Sequence, residues 1–272
     1  MKKVIVITGA SSGMGKVHAL SLLQKGHIVY GLARRVEKMK EIVKAGGIAI
    51  AMDITSEKQI QDGVDQILNE QGKIDVLINN AGYAVYGSVE ESSIDSARRQ
   101  FEVNIFGLAS ITQKVIPGMR KNKSGRIINI SSMGGKMYTP FGAWYHATKH
   151  ALEGWSDCLR VELTPFNVEV VVIEPGGIET EFTNVFLDNL QGDKENGPYA
   201  DKLQKLIKST QEMHDSGKLS KPNVITKLID KAVHSKKPKT RYVAGAYAKP
   251  LMFMRKYLGD RRFDKILMNQ FT

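Results

Sequence analysis

Residues 3–26 read KVIVITGASSGMGKVHALSLLQKG, and the fold turns on how this stretch changes character twice. Its first five residues form an apolar, β-branched run, the pattern of a strand buried on both faces. Three glycines then fall within eight residues (TGASSGMG, 8–15), and a helical pattern follows. Strand, glycine turn and helix in that order form the setting in which a dinucleotide's pyrophosphate is held. Gly9 permits the tight turn, Gly13 lets backbone come close to a phosphate, and Gly15 lets the helix press on the sheet. Free N–H groups at the helix start favour an anion. Thr8, Gly9, Ser11, Ser12, Gly13, Met14 and Gly15 are therefore candidate cofactor-binding residues. The spacing is Gly-x3-Gly-x-Gly, not the more widespread Gly-x-Gly-x2-Gly.

Similar short runs recur along the chain: HIVYGL (27–32), GIAIAM (47–52), DVLIN (75–79), RIINI (126–130), VEVVVI (168–173) and RYVAG (241–245). The segments between them are long enough for crossover helices. Ile60, Val64, Ile67 and Leu68 share one helical face, as do Leu152, Trp155 and Leu159. The alternation predicts an α/β, doubly wound (Rossmann) parallel sheet of about seven strands with helices on both faces, in a single domain over residues 1–245. Residues 177–220 interrupt the rhythm as an insertion after the sixth strand. They include an amphipathic helix with Tyr199, Leu203, Leu206, Ile207 and Thr210 on one side, and they read as a substrate lid. Residues 246–272 read as a basic amphipathic C-terminal helical extension. Pro250 opens one helix (Leu251, Met254, Leu258), and Gly259 stops it. Asp260 caps a second with Phe263, Ile266, Leu267 and Phe271 on its apolar face.

The 272 residues are 42% hydrophobic and 25% charged, an ordinary composition for a protein with one large core. The single cysteine, Cys158, excludes an intrachain disulfide framework, suits a cytoplasmic location, and reads as a buried, inert thiol. No stretch approaches the ~18 apolar residues of a membrane span. No cluster has metal-ligand spacing, so no metal is expected. The net charge of +11 is unevenly placed: residues 221–272 hold 13 basic and 3 acidic side chains, whereas residues 1–220 hold 26 and 25. A solvated helix face is the default reading of that tail. No nucleic acid is expected, and peripheral contact with an anionic membrane stays open.

The end of the second strand bears on cofactor choice. NAD-binding folds place an acid about 20 residues beyond the glycine turn to hold the ribose hydroxyls. Here the run is YGLARR, with Ala33 near that position and Arg34 after it. A guanidinium grips a 2′-phosphate that a carboxylate would repel, so NADP(H) is favoured over NAD(H). Arg35 reads as merely exposed, and Glu37 keeps a ribose contact possible.

Tyr145 and Lys149 lie four positions apart in YHATK, on one face of a helix, a pair that means little alone. Its surroundings change that. TGASSGMG ends the first strand, Asp53 follows the third, and Asn79-Asn80-Ala81-Gly82 follows the fourth. Asn104 lies in FEVNIFG, Ser131-Ser132 ends the fifth strand 13 residues before Tyr145, and Pro175-Gly176 follows the sixth. Together and in this order they resemble the short-chain dehydrogenases/reductases over about residues 3–185. Met14 stands where isoleucine is more frequent, and His146 fills a variable position.

The resemblance implies an oxidoreductase acting on a small-molecule alcohol or ketone, with an Asn104, Ser132, Tyr145, Lys149 tetrad. It implies that Asp53 and Ile54 meet the adenine, with Asp53 accepting from its amino group. Asn80, Ala81 and Gly82 would support the adenosine half. Asn104 would hold a water at a helix kink, and Tyr145 and Lys149 would reach the nicotinamide ribose. Pro175, Gly176, Ile178 and Thr180 would contact the nicotinamide end. A homodimer or homotetramer is implied as well. In such a site Tyr145 is the general acid/base. Working as a base near neutral pH needs a fall in its pKa worth about 4 kcal/mol, which the Lys149 ammonium is expected to supply in large part. Ser132 would stabilise charge on the substrate oxygen. Met133, Met137, Tyr138, Phe182 and Phe186 flank the expected site and suggest a lipophilic substrate. His146 points about 100° away from Tyr145 around the helix, and no catalytic role is assigned to it. The alternative is a dinucleotide-binding redox sensor without turnover.

Overall fold

The computed structural model of the chain describes residues 2–269. Seven strands, β1 (Val4–Thr8), β2 (Ile28–Ala33), β3 (Ile48–Ala51), β4 (Val76–Asn79), β5 (Gly125–Ile130), β6 (Val168–Pro175) and β7 (Arg241–Ala244), form one sheet in the order β3-β2-β1-β4-β5-β6-β7. Every pairing is parallel, with Ile5 opposite Val29 on one side and Val76 on the other. All seven predicted strands are present, and the sheet is doubly wound. The strand order reverses between β1 and β4, which opens a crevice at their C-terminal ends, where such sheets bind ligands.

Eleven α-helices connect and flank the strands among the described residues. α1 (Gly13–Gln24), α2 (Lys40–Lys44) and α3 (Glu57–Gln71) follow β1, β2 and β3, and α4 (Ile94–Phe101) and α5 (Leu108–Lys121) lie between β4 and β5. α6 (Ala143–Leu163) precedes β6. The insertion holds α7 (Phe182–Asp188) and α8 (Ala200–Asp215), α9 (Asn223–His234) precedes β7, and α10 (Ala248–Leu258) and α11 (Asp260–Met268) end the described chain.

Alternation along β1 sorts side chains between two cores. Val4 and Val6 pack with Ile60, Val64 and Ile67 of α3, Ile111 and Val115 of α5, and Leu159 of α6. Ile5 and Ile7 pack on the other face with Ala19 and Leu22 of α1 and Ile225 and Ile229 of α9. With both faces covered, these strands have no polar alternation to show in sequence. A third cluster (Met137, Phe263, Leu267) joins the terminal helices to the segment after β5.

Three local expectations need correction. Cys158 is exposed, because it lies about 100° around α6 from the buried Leu159. α10 begins at Ala248, two residues before Pro250, whose ring fits the first turn of a helix. Gly259, at φ 74°, separates the terminal helices, and Asp260 is the first helical residue of α11, where it pairs with Arg255 at 2.6 Å. Phe271 lies outside the described residues.

Candidate active site

The glycine loop is shaped by close backbone contact. Gly9 has φ +67°, and a Cβ on Gly15 would stand 2.4 Å from the Gly9 carbonyl oxygen and 2.5 Å from Asn80 Nδ2. Only glycine lets α1 sit this near the sheet. Ser12, the residue before α1, makes no side-chain cap, and the first turn of α1 has no acid, so its N–H groups face the crevice available to an anion. Thr8 and Asn80 hold the scaffold: Thr8 Oγ1 accepts from the Asn80 and Ala81 N–H groups, both at 3.0 Å. Asn80 Nδ2 donates to the Thr8 and Gly9 carbonyls at 3.0 and 3.2 Å.

A cleft of ≈ 430 Å³ opens on this loop. Of the residues named in sequence as candidates for cofactor binding, Thr8, Gly9, Ser11, Ser12, Gly13, Met14, Arg34, Asp53, Ile54, Asn80, Ala81, Gly82 and Thr180 line it. Gly15, Tyr145, Lys149, Pro175, Gly176 and Ile178 do not. Pro175 pairs with Ala244, Gly176 N–H donates to the Ala244 carbonyl at 2.8 Å, and Ile178 packs in the core, so this segment ties β6 to β7. The Thr180 hydroxyl accepts from Phe182 N–H at 3.2 Å.

Two arginines were misjudged or missed in sequence. Arg35 is not merely exposed: it lines the cleft, and its Nη2 reaches Ser12 Oγ at 3.5 Å. Arg99 of α4 also lines the cleft, 3.6 Å from Asp53. Burial pushes the Asp53 carboxyl up, but hydrogen bonds from Thr55 and the charges of Arg99 and Arg34 outweigh it and hold the group below the usual carboxylate range. Asp53 Oδ1 accepts from both Thr55 N–H (3.0 Å) and Thr55 Oγ1 (2.8 Å).

The predicted tetrad converges beside the cleft. Between α4 and α5 the chain widens into a π-helical segment, Glu102–Gly107, which carries Asn104. Asn104 Nδ2 donates to the Tyr83 carbonyl (2.9 Å) and Thr148 Oγ1 (3.2 Å), and its Oδ1 accepts from Tyr83 N–H (3.1 Å). Lys149 Nζ donates to the Ile130 carbonyl at 2.9 Å and lies 5.9 Å from the Tyr145 ring centroid. A Cβ on Gly82 would meet Asn104 Oδ1 at 3.2 Å and Lys149 Nζ at 3.9 Å, so this glycine marks where the π-helical segment and α6 deliver their groups. Ser132 Oγ accepts from Gly134 N–H at 3.0 Å and hydrogen-bonds Tyr145.

The electrostatics of the pair differ from the expectation. Burial pushes the Tyr145 phenol up, and the Ser132 hydrogen bond only partly opposes this. Burial lowers Lys149 to about 8, against the pull of Glu153. The cause is an aromatic cover. Tyr86, Phe182 and His146 stand with ring centroids 5.7, 6.1 and 5.6 Å from Tyr145, and Phe186 stands 4.6 Å from Tyr86. His146 itself is structural. Its Nδ1 donates to the Gly134 carbonyl (2.9 Å), its Nε2 accepts from Thr139 N–H (3.0 Å), and burial lowers it to about 4.

Behind Lys149 lies a buried charged group that no motif announces. Glu153, one turn along α6, accepts from Lys136 Nζ (3.1 Å) and Arg241 Nε (3.0 Å), and Arg241 also binds Asp157 at 2.7 Å. Glu174 of β6 is 1% exposed, 3.5 Å from Arg241, and hydrogen-bonded to Glu153, which requires a proton between the two carboxyls. Burial, with the Glu153 charge, raises Glu174 to about 7.

A second pocket, of ≈ 710 Å³, adjoins His146. Val89, Tyr138, Phe141, Tyr199 and Met268 contribute its apolar wall. Tyr199 Oη donates to Glu90 at 2.9 Å, fastening the insertion to the loop after β4. Phe141 adopts φ +64°, an uncommon conformation for a bulky residue, and turns its ring edge-on toward Tyr199 at 6.2 Å.

Known proteins share this fold. The family pattern described as short chain dehydrogenase matches residues 3–190. The chain is 38% identical to 3-ketodihydrosphingosine reductase of Bacteroides thetaiotaomicron, over 89% of this chain and 88% of that protein. A short-chain dehydrogenase from Streptomyces avermitilis superposes with a TM-score of 0.83 at 30% identity, covering 99% of this chain and 97% of its own. A serine dehydrogenase solved in its closed form with NADP+ gives 0.79 at 25% identity, over 90% and 96%. With its parallel sheet, glycine loop and Ser–Tyr–Lys site, the chain belongs to the short-chain dehydrogenase/reductase family of oxidoreductases.

Proposed function

We propose that this protein is an NADP(H)-dependent oxidoreductase that interconverts a hydroxyl and a carbonyl on a lipophilic small molecule, with Tyr145 as general acid/base. The observation that carries the reading is the convergence of Asn104, Ser132, Tyr145 and Lys149 beside a cleft whose glycine loop a single methyl group would block. The cleft suits a phosphorylated dinucleotide: an uncapped helix start without acids, and three guanidinium groups against the two carboxylates of Asp53 and Glu181. Arg34 and Arg35 would hold the 2′-phosphate, and preference for NADP(H) over NAD(H) rests on those two side chains.

When bound, the nicotinamide supplies or accepts the hydride. The chain's own residues then manage the proton. In reduction Tyr145 Oη–H gives its proton to the oxygen of the substrate carbonyl, which becomes the hydroxyl. Ser132 Oγ–H donates to the same oxygen as negative charge develops there. Lys149, held by the Ile130 carbonyl, places a positive charge behind the phenol and favours the phenolate left after transfer. The aromatic cover of Tyr86, Phe182 and Phe186 keeps water from the phenol, and the second pocket offers apolar wall for the remainder of the substrate. The exposed side chains Phe106 and Val161 support pairing into a homo-oligomer.

The test is NADPH oxidation by purified protein across ketones and aldehydes of increasing chain length, with NADH in parallel. Tyr145→Phe should lower turnover by about a hundredfold or more while the cofactor still binds. Saturable cofactor binding without turnover, unchanged in that variant, would replace the enzyme with a redox sensor.

A further inference from the structure

The terminal helices carry a surface that the fold does not use. α10 turns Leu251 and Met254 inward against Met137, Phe263 and Leu267. On its other side Phe253 and Tyr257, one turn apart, are 62% and 61% exposed, with ring centroids 4.7 Å apart. Lys249 and Lys256 are exposed in the same helical register, and Lys256 Nζ stands 5.0 Å from the Tyr257 ring centroid. A buried aromatic pair would belong to a core; an exposed one framed by lysines has no such account.

Charge on this hairpin is one-sided for a structural reason. Its two acids are both engaged locally, Asp260 with Arg255 at 2.6 Å and Asp264 with the Tyr138 hydroxyl at 2.8 Å. Lys249, Lys256, Arg261, Arg262 and Lys265 are exposed and have no acidic partner among the described residues. Residues 246–272 hold six basic side chains against two acids, so this hairpin joins an excess of positive charge to exposed aromatic rings.

We propose that the α10–α11 hairpin docks on an anionic lipid surface, with Phe253 and Tyr257 entering the interfacial layer and the five basic side chains meeting the headgroups. Aromatic rings favour the boundary between hydrocarbon and headgroups, and lysines lay their stems along apolar surface while the ammonium stays at the phosphates. Neither feature alone gives firm attachment, but the two together do. No described helix is long and apolar enough to cross a membrane, so the contact is peripheral. Met268, at the end of α11, lines the ≈ 710 Å³ pocket, so the docked hairpin is also a wall of that pocket. The proposal does not depend on the reaction assigned above.

Cosedimentation of the full chain with phosphatidylcholine vesicles, with and without about 30% phosphatidylglycerol, tests it at low and high salt. Binding is expected only with phosphatidylglycerol, and salt should release it. Lys256→Gln should lower the partition coefficient about fivefold. The Phe253→Ser/Tyr257→Ser double variant should lower it about tenfold or more, with an unchanged melting temperature because both rings are exposed. Absence of binding at low salt overturns the proposal, as does equal binding by the double variant. A change of oligomeric state in that variant also overturns it, because a second copy would then cover the face. Binding to DNA that survives loss of the two rings, without binding to vesicles, overturns it in favour of a nucleic acid.

Discussion

Replacing Glu174 by Gln should stabilise the protein at alkaline pH and leave it nearly unchanged at acid pH. Glu174 and Glu153 meet in the interior with one proton between them, and burial together with the Glu153 charge raises Glu174 from 4.5 to about 7. Unfolded, the group loses its proton near 4.5; folded, it keeps it up to about 7. Between these values the native state binds the extra proton, so stability falls as pH rises through the window and is flat on either side. The full rise corresponds to about 3 kcal/mol, a ceiling. Lys136 and Arg241 offset part of the repulsion, so about 1–2 kcal/mol is the working figure. A glutamine amide donates to Glu153 as the protonated carboxyl does, without a charge to lose. Thermal melting of both proteins at pH 5 and pH 8.5 measures the difference. The variant should melt about 2–4 °C higher at the alkaline pH, with little difference at pH 5. Glu174→Ala, which leaves Glu153 without its donor, should be less stable at both. An equal shift at the two pH values, or a glutamine variant less stable at pH 8.5, would refute the shared proton.

Other predictions follow from the cleft and the tetrad. The Arg34→Ala/Arg35→Ala double variant should weaken NADPH binding by about tenfold to a hundredfold and leave NADH little changed, measured by fluorescence titration. Gly15→Ala should cost about 1–3 kcal/mol of stability and weaken both cofactors, because the added methyl would stand 2.4 Å from the Gly9 carbonyl oxygen and must push α1 off the sheet; unchanged melting and binding would mean that the loop yields. Reduction should proceed at a constant rate through neutral pH, since burial keeps Tyr145 protonated, and should decline above about 8 as Lys149 loses its proton. Oxidation should instead gain from rising pH, and kcat/KM profiles in the two directions separate these outcomes. Asn104→Ala should lower the melting temperature as well as turnover, because the side chain fastens the π-helical segment to Tyr83 and Thr148.

The sheet was legible because strands covered on both faces must be apolar throughout, and VIVIT or VEVVVI has no polar alternation to confuse with a surface strand. The glycine loop was legible because its main steric demand is local: Gly9 and Gly15 meet each other across one turn. What stayed hidden depends on contacts between distant segments. Arg99 meets Asp53 only because α4 crosses the end of β3, and Glu174 meets Glu153 only because β6 follows α6 back through the core. The Arg35 reading failed because position alone did not fix which way the guanidinium turns. Cys158 was misread because Leu152, Trp155 and Leu159 define a buried stripe without showing how quickly burial ends around the helix.

Burial, more than Lys149, sets the acidity of Tyr145. Reasoning from the spacing alone made Lys149 the dominant influence, through the attraction of an ammonium one turn away. In the folded chain that ammonium is itself buried, bound to the Ile130 carbonyl and lowered to about 8, while the phenol lies under Tyr86, Phe182 and His146 and is raised. Burial disfavours the charged form of both groups, so the polypeptide alone holds the phenol protonated beside a lysine that ionises with difficulty. Phe182 and Phe186 belong to α7, in the insertion, and Tyr86 is fastened to the same segment where its carbonyl accepts from Gln191 N–H at 2.7 Å. The acidity of Tyr145 is thus governed from outside the Ser–Tyr–Lys motif. A displacement of α7 that admits water would lower the phenol and raise the lysine together, bringing both toward the charged pair that proton abstraction requires.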